Sequence, residues 1–368
     1  MTGTKLPQAS LHSSQQKAIA QLRSDAVSLR PAAIDTLTQI LRMSNLPLSC
    51  LDLALASISQ RASVALHFHP DRPVGLGTVA SGLLQDGIYK SQFETGISNG
   101  SVSAHPGGAR DEWERSLFNG AYSGVEAIYR PKYGALDLMR NHDGPAPRFG
   151  SCFFLLKPEV SLRSTFTFGG SQADPKYRGT LDEFHAILAA TFEECFTRDF
   201  ALGVSNIRPP QLMERILKLR TTLHDRIGPS RNLDHFVEAQ VHGDVLLWRD
   251  VQELVVDPSF QDSDTGRDLE AMSAKYRFPL RWHQGFRMQV AAVPMDFRGA
   301  SMPSLAARVA KVGVVDAKAI GTGVRELSRD AVAWMDRGTH AEVLQELKLL
   351  WHVLVRFGES VFGGLIEP

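Results

Sequence analysis

The sequence predicts an α+β protein: a strand-rich middle, about residues 61–264, with a helical region before it (1–60) and a mainly helical region after it (265–368). Three observations predict this. The strand-like runs fall together in the middle of the chain. Helical periodicity and capping signals dominate both ends. The regular strand–helix alternation of a doubly wound parallel sheet is missing.

Taken in order, the first region reads as helical. Pro31 suits a first helical turn, and Ile34, Leu37, Ile40 and Leu41 follow on one face. Asn45 to Pro47 breaks that helix, and residues 51–58 form another short one. The character changes at Val64, where residues 64–69 read as a strand ended by Pro70. A helix over 76–84 is stopped by Asp86-Gly87. Residues 94–150 carry Asn99-Gly100, Pro106-Gly107-Gly108 and Asp143-Gly144-Pro145, which predict loops and short strands. Residues 151–160 and 164–168 read as strands.

Thr180-Leu181-Asp182-Glu183 has the capping-box pattern and predicts the start of a helix bearing Phe184, Leu188, Phe192 and Cys195. A second helix carries Leu212, Ile216, Leu219 and Leu223 and stops at Gly228-Pro229. Residues 236–247 and 254–256 are strand-like. Thr339-His340-Ala341-Glu342 opens a last helix with Val343, Leu347, Leu350, Trp351 and Leu354, closed near Gly358.

Composition bounds the function classes. The chain has 368 residues, 43% hydrophobic and 22% charged, which are ordinary values for a packed globular protein. Lys+Arg and Asp+Glu both number 40, so no global field draws nucleic acid or anionic membrane. Three widely spaced cysteines, Cys50, Cys152 and Cys195, argue against a disulfide framework or a zinc ribbon. No apolar stretch approaches the ~18 residues of a membrane span, and the polar N-terminus lacks the apolar core of a secretion signal. The expectation is a cytoplasmic protein, or one exported without a cleaved signal. Nucleotide-binding Gly-rich loops and the Gly-x-Ser-x-Gly elbow are absent, which disfavours a Rossmann oxidoreductase, a P-loop ATPase and a serine hydrolase.

The segment His67-Phe68-His69-Pro70-Asp71-Arg72 is the most chemical in the chain. Strand alternation puts His67 and His69 on one face and Phe68 on the other, with Asp71 and Arg72 at the strand's mouth. Three readings are open: a metal site using His67, His69 and Asp71, as in a metal-dependent hydrolase; a nucleotide-holding histidine; or two structural histidines held by hydrogen bonds. Arg72 weighs against the metal, because a cation beside a dication is unfavourable. Further along, Tyr89 and Phe93 offer aromatic faces for a flat ring. Glu238, Gln240 and His242 share one face of a strand whose other face is Val237, Ala239 and Val241, the pattern of a sheet set between a core and a cleft.

Together these segments, over about residues 61–260, resemble the ADP-ribosyltransferase superfamily in order and local pattern. His67-x-His69 stands where the first core strand of that superfamily holds NAD. Leu83-Leu84-Gln85-Asp86-Gly87 resembles the helix that follows and ends in Gly. Ser164-Thr165-Phe166 resembles its Ser-Thr-Ser motif, and Glu238, with Gln240 two residues on, its catalytic Glu. The resemblance implies a split β-sheet core, NAD as substrate and no metal. It implies Glu238 and His67 as catalytic residues, and His67, His69, Arg72, Tyr89, Ser164, Thr165 and Gln240 as the NAD-binding set. Arg72 would pair with the pyrophosphate and Tyr89 stack on nicotinamide. The order Glu then Gln departs from the Arg-type members, so the acceptor stays open among protein, nucleic acid, small molecule and water. The His-Phe-His-Pro-Asp-Arg run also resembles that of an uncharacterised bacterial family, which implies no activity. A binding or scaffold protein, engaging a partner through residues 265–368, is the non-enzyme alternative.

Overall fold

A computed structural model describes residues 10–96, 104–219 and 228–361. Helices α1 (Ser13–Met43) and α2 (Ser49–Arg61) lead into strand β1 (Val64–Phe68). Helices α3 (Val79–Asp86) and α4 (Ala109–Leu117) precede β2 (Lys132–Leu136). Strands β3 (Cys152–Leu156), β4 (Ser164–Phe168) and β5 (Arg178–Thr180) come next, followed by α5 (His185–Arg198) and α6 (Pro209–Leu217). Then come β6 (Val237–Val241), β7 (Val251–Val256), α7 (Asp264–Tyr276) and β8 (Leu280–Trp282). The chain continues through α8 (Met302–Val309), α9 (Ala317–Arg329) and α10 (His340–Phe357).

The eight strands form one mixed sheet in the order β8-β7-β3-β1-β2-β6-β4-β5. Neighbours are antiparallel except β7 and β8, which run parallel. The expected split is therefore corrected: Ala135 of β2 pairs with both Ala65 of β1 and Glu238 of β6, so the ladder is continuous. It is nevertheless weakly closed at this point. β1 and β2 pair only at Val64↔Leu136 and Ala65↔Ala135, and beyond these positions the two strands part. Gly134 permits the close approach, since a Cβ there would lie 2.5 Å from the Ala65 carbonyl oxygen.

Alternation sorts the sheet into two faces. Val64, Leu66, Phe68, Phe154, Phe166, Val237, Ala239, Val241 and Leu254 enter the main core. The other face carries His67, Tyr133, Thr165, Glu238 and Gln240, as their mutual pairings require. That core also takes in Leu37 and Leu41 of α1, Phe192 of α5, Leu269 of α7, and Leu347 and Trp351 of α10. Each such side chain, once buried, contributes roughly 1.5–3 kcal/mol. All three expected regions thus share one core, and β8 of the last region is a strand of the sheet.

Several elements differ from expectation. Pro31 lies inside the 31-residue α1 rather than at its start. Burial of Ala18, Leu22 and Ala26 before it and Ala33, Leu37 and Leu41 after it carries the helix through the missing hydrogen bond. Thr180 ends β5 instead of capping a helix. Its hydroxyl binds Asp182 and its carbonyl accepts from Glu183 in a turn, so α5 starts at His185. Residues 73–78 form a small hairpin where a helix was expected to begin, so α3 starts at Val79. The polar stretch 94–150 contains α4, which its punctuation concealed. The Thr339 capping box is observed, with Glu342 accepting from the Thr339 backbone N–H at 2.7 Å. Asn99-Gly100 and Leu223 lie outside the described residues. Cys152 and Cys195 are buried and all three cysteines are free. Among the described residues, no helix is long and apolar enough to cross a membrane.

Candidate functional site

Where β1 and β2 part, a cavity of about 520 Å³ opens, within the ~300–1,000 Å³ common for ligand pockets. His67, Phe68 and His69 line it from the β1 side, and Lys132, Tyr133 and Gly134 from the β2 side. Tyr89, Arg72, Glu238, Ser171 and Gln172 also reach it. Five residues singled out from the sequence, His67, His69, Arg72, Tyr89 and Glu238, therefore meet around one space, although 149 positions separate Tyr89 from Glu238 (238 − 89).

Glu238 is 6% exposed and faces the cavity from the middle of β6. Burial pushes its carboxyl above the usual range. Hydrogen bonds from Ser171 and Gln240 and the charge of Arg110 pull the other way. Behind it runs a chain of donors pointing one way. Tyr122 O–H donates to His242 Nδ1 (2.6 Å) and His242 Nε2–H to Thr165 Oγ1 (3.0 Å). Thr165 O–H donates to Gln240 Oε1 (2.8 Å) and Gln240 Nε2–H to Glu238 Oε1 (3.0 Å). The Ser171 backbone N–H donates to the same carboxylate oxygen at 3.1 Å. This alignment polarises toward Glu238 and suits a negative charge there. It also needs a neutral His242, and burial, with Arg163 and Lys132 nearby, lowers that imidazole to about 3.

Ser164, Thr165 and Gln240 do not line the cavity. Ser164 lies on the opposite sheet face, where its hydroxyl donates to the Val160 carbonyl (3.0 Å). Thr165 and Gln240 act on Glu238 from behind. One residue's shift along a strand accounts for the difference between Ser164 and Thr165.

The two histidines also differ. His67 Nδ1 donates to the Gly150 carbonyl (3.2 Å), and Nε2 accepts from Ala146 N–H (3.3 Å). Its ring packs on Phe153 and is crowded by Gly144, where φ is +79° and a Cβ would lie 2.6 Å from Nε2. His67 is thus a wall of the cavity that fixes the 144–150 loop. His69, just past the end of β1, lines the cavity and meets Trp351 edge-on at 5.2 Å. Burial, then Arg72, His352 and His67, hold it well below its ordinary range, so its ring is neutral. Tyr89 donates from its hydroxyl to the His67 carbonyl (3.4 Å), and burial raises its phenol.

Asp71 turns away from both histidines. It is 2% exposed and packs against α9, where a Cβ on Gly321 would lie 1.7 Å from its Oδ2. Among the described residues, no three His, Cys, Asp or Glu side chains group as a metal ion would require.

Arg110, Trp113, Arg148 and Lys348, which no local sequence pattern singled out, also line the cavity. Arg110 lies between Trp113 and Tyr133, its guanidinium carbon 4.5 and 4.9 Å from the two ring centroids. Arg110 and Trp113 share a face of α4 through their i,i+3 spacing, a signal that reading 94–150 as loops obscured. The neighbouring Arg130 anchors α4, binding Asp111 at 2.6 Å and Glu114 at 2.8 Å.

A family model described as "Protein of unknown function (DUF3626)" matches residues 63–357, from β1 to the end of α10. No curated protein matches the chain.

Proposed function

That match makes the chain a member of the DUF3626 family of unknown function, and from its site we propose an NAD-cleaving ADP-ribosyltransferase or NAD glycohydrolase. The observation that carries the reading is the convergence of Glu238, His69, Arg72 and Tyr89 on one cavity at the opening between β1 and β2. An acid, a neutral imidazole, a guanidinium and an aromatic face are groups suited to breaking a nicotinamide–ribose bond.

In that reaction nicotinamide leaves with the electron pair of the bond to C1′, and positive charge develops on the ribose. An acceptor nucleophile or water then bonds to C1′ and gives up its proton. The Glu238 carboxylate stabilises the developing charge and accepts from a ribose hydroxyl, while Gln240 and the Ser171 N–H hold it in place. Tyr89 stacks on the nicotinamide. His69 orients the amide or a ribose hydroxyl through its neutral ring, and Arg72 pairs with the pyrophosphate. His67 keeps the wall in place instead of touching the ligand. The continuous sheet is then an ADP-ribosyltransferase-like core that is opened, not divided, between β1 and β2. The acceptor is protein, nucleic acid, small molecule or water.

Purified protein incubated with NAD should release nicotinamide, and Glu238→Gln should reduce the rate at least ~10²-fold without lowering the melting temperature. Folded wild-type protein that releases none, or a variant that releases it at the wild-type rate, would overturn the reading.

A further inference from the structure

The cavity holds more positive charge than its carboxylates neutralise. Arg72 follows β1, Arg148 belongs to the 144–150 loop and Lys348 projects from α10, and all three line the space. Arg298 stands beside them, close enough to act on both Lys348 and His352. Two carboxylates act on this group: Asp234 pairs with Arg148 and lies 3.9 Å from Arg298, and the buried Asp71 acts on its neighbour Arg72. Among the described residues, the side chains of Arg72 and Lys348 make no hydrogen bond and no ion pair within 4 Å. Burial, then Arg148, Arg72 and Arg298, bring the Lys348 ammonium down to about 8, so the fold holds these like charges together at a cost. The adjacent His352 is 1% exposed and leaves both ring nitrogens unpartnered, lowered to about 3 first by burial and then by the same cations.

Like charges drawn from three distant parts of a chain into one partly buried space are what a multiply charged anion requires. The geometry points to a phosphate subsite formed by Arg72, Arg148 and Lys348, which takes the pyrophosphate or a terminal phosphate of a ligand whose other end reaches Glu238. The C-terminal helix α10 is then part of the binding site and not a separate partner-binding module. Trp351 supports this placement: its Nε1–H donates to the Pro147 carbonyl (2.8 Å), tying α10 to the loop that carries Arg148. The family match likewise includes α10 with the sheet. The subsite rests on these cations alone. In the reading given above, the anion is the pyrophosphate of NAD.

The test is calorimetric titration of the full chain with inorganic pyrophosphate. Wild-type protein should bind it, and Lys348→Gln and Arg72→Gln should each weaken binding roughly ten-fold or more. Lys311→Gln, an exposed lysine outside the cavity, should bind as wild type does. Because Lys348→Gln relieves like-charge repulsion, its melting temperature should equal or exceed that of wild type, which separates lost binding from lost folding. No binding by wild type at millimolar pyrophosphate, or unchanged affinity in both variants, overturns the subsite. Pyrophosphate binding without nicotinamide release from NAD keeps the subsite and removes the cleavage reading. Nicotinamide release from NAD with both variants binding pyrophosphate as wild type does the reverse.

Discussion

Gln240 shows how much a single side chain sets at this site. It touches no cavity space, yet its amide passes the donor chain from Thr165 to Glu238. Gln240→Glu would put a second carboxylate about 3 Å from the first, and two such groups do not both ionise readily. The acid limb of the rate profile for nicotinamide release should therefore move up by at least about one pH unit. An unmoved limb would mean that Glu238 is not the titrating group. At this scale the sequence was informative about residue type and face: strand alternation put Glu238, Gln240 and His242 on one side, and so they lie. It did not separate contact from support. His67 and His69 have the same spacing rule and the same chemistry. Only the 144–150 loop, arriving from elsewhere in the chain, uses both nitrogens of His67 and none of His69.

Between elements, the contact of the β1 exit with α9 gives a pH-dependent prediction. Asp71 is buried against Gly321, and desolvation raises its carboxyl from 3.8 to about 6. A raised folded value means that the folded state holds the proton more tightly than the unfolded chain. The contribution to stability is full below about pH 4 and is lost as pH climbs through 6. Asp71→Asn cannot ionise, so it should gain on wild type by up to about 3 kcal/mol between pH 4 and 8. Melting curves across that range test this, and parallel Tm–pH curves for the two proteins would refute it. Element boundaries were legible where a local signal acts alone, as at the Thr339 cap. They failed where packing or pairing competes. Thr180 has the same capping pattern, but its backbone is engaged in β5. Pro31 lost to the apolar face of α1.

For the whole molecule, one core joins both helical ends to the sheet. A chain ending at residue 264 loses β8, which pairs with β7 through Leu254↔Leu280 and Val256↔Trp282, and loses Trp351, buried at 1% exposure. Loss of a core Trp alone costs about 3–5 kcal/mol, a large part of the ~5–15 kcal/mol that stabilises a typical protein. The truncated chain should show no cooperative thermal transition and should be cut rapidly by protease. A sharp transition in it would mean that residues 1–264 fold independently.

By itself the sequence determined the α+β class, most of the sheet's strands, which side chains face its polar side, and five residues that line one cavity. These follow from periodicity and local capping, which act over a few residues. Tertiary structure decided the rest. It set the continuous ladder that parts between β1 and β2, the hydrogen bonds that hold His67 to the 144–150 loop, and the removal of Ser164 from the cavity. It also brought Arg110, Arg148 and Lys348 to the site. The physical reason is that these features depend on pairs of residues separated by tens to hundreds of positions. Backbone register and shared burial bring such pairs together, and neither is written in any local pattern.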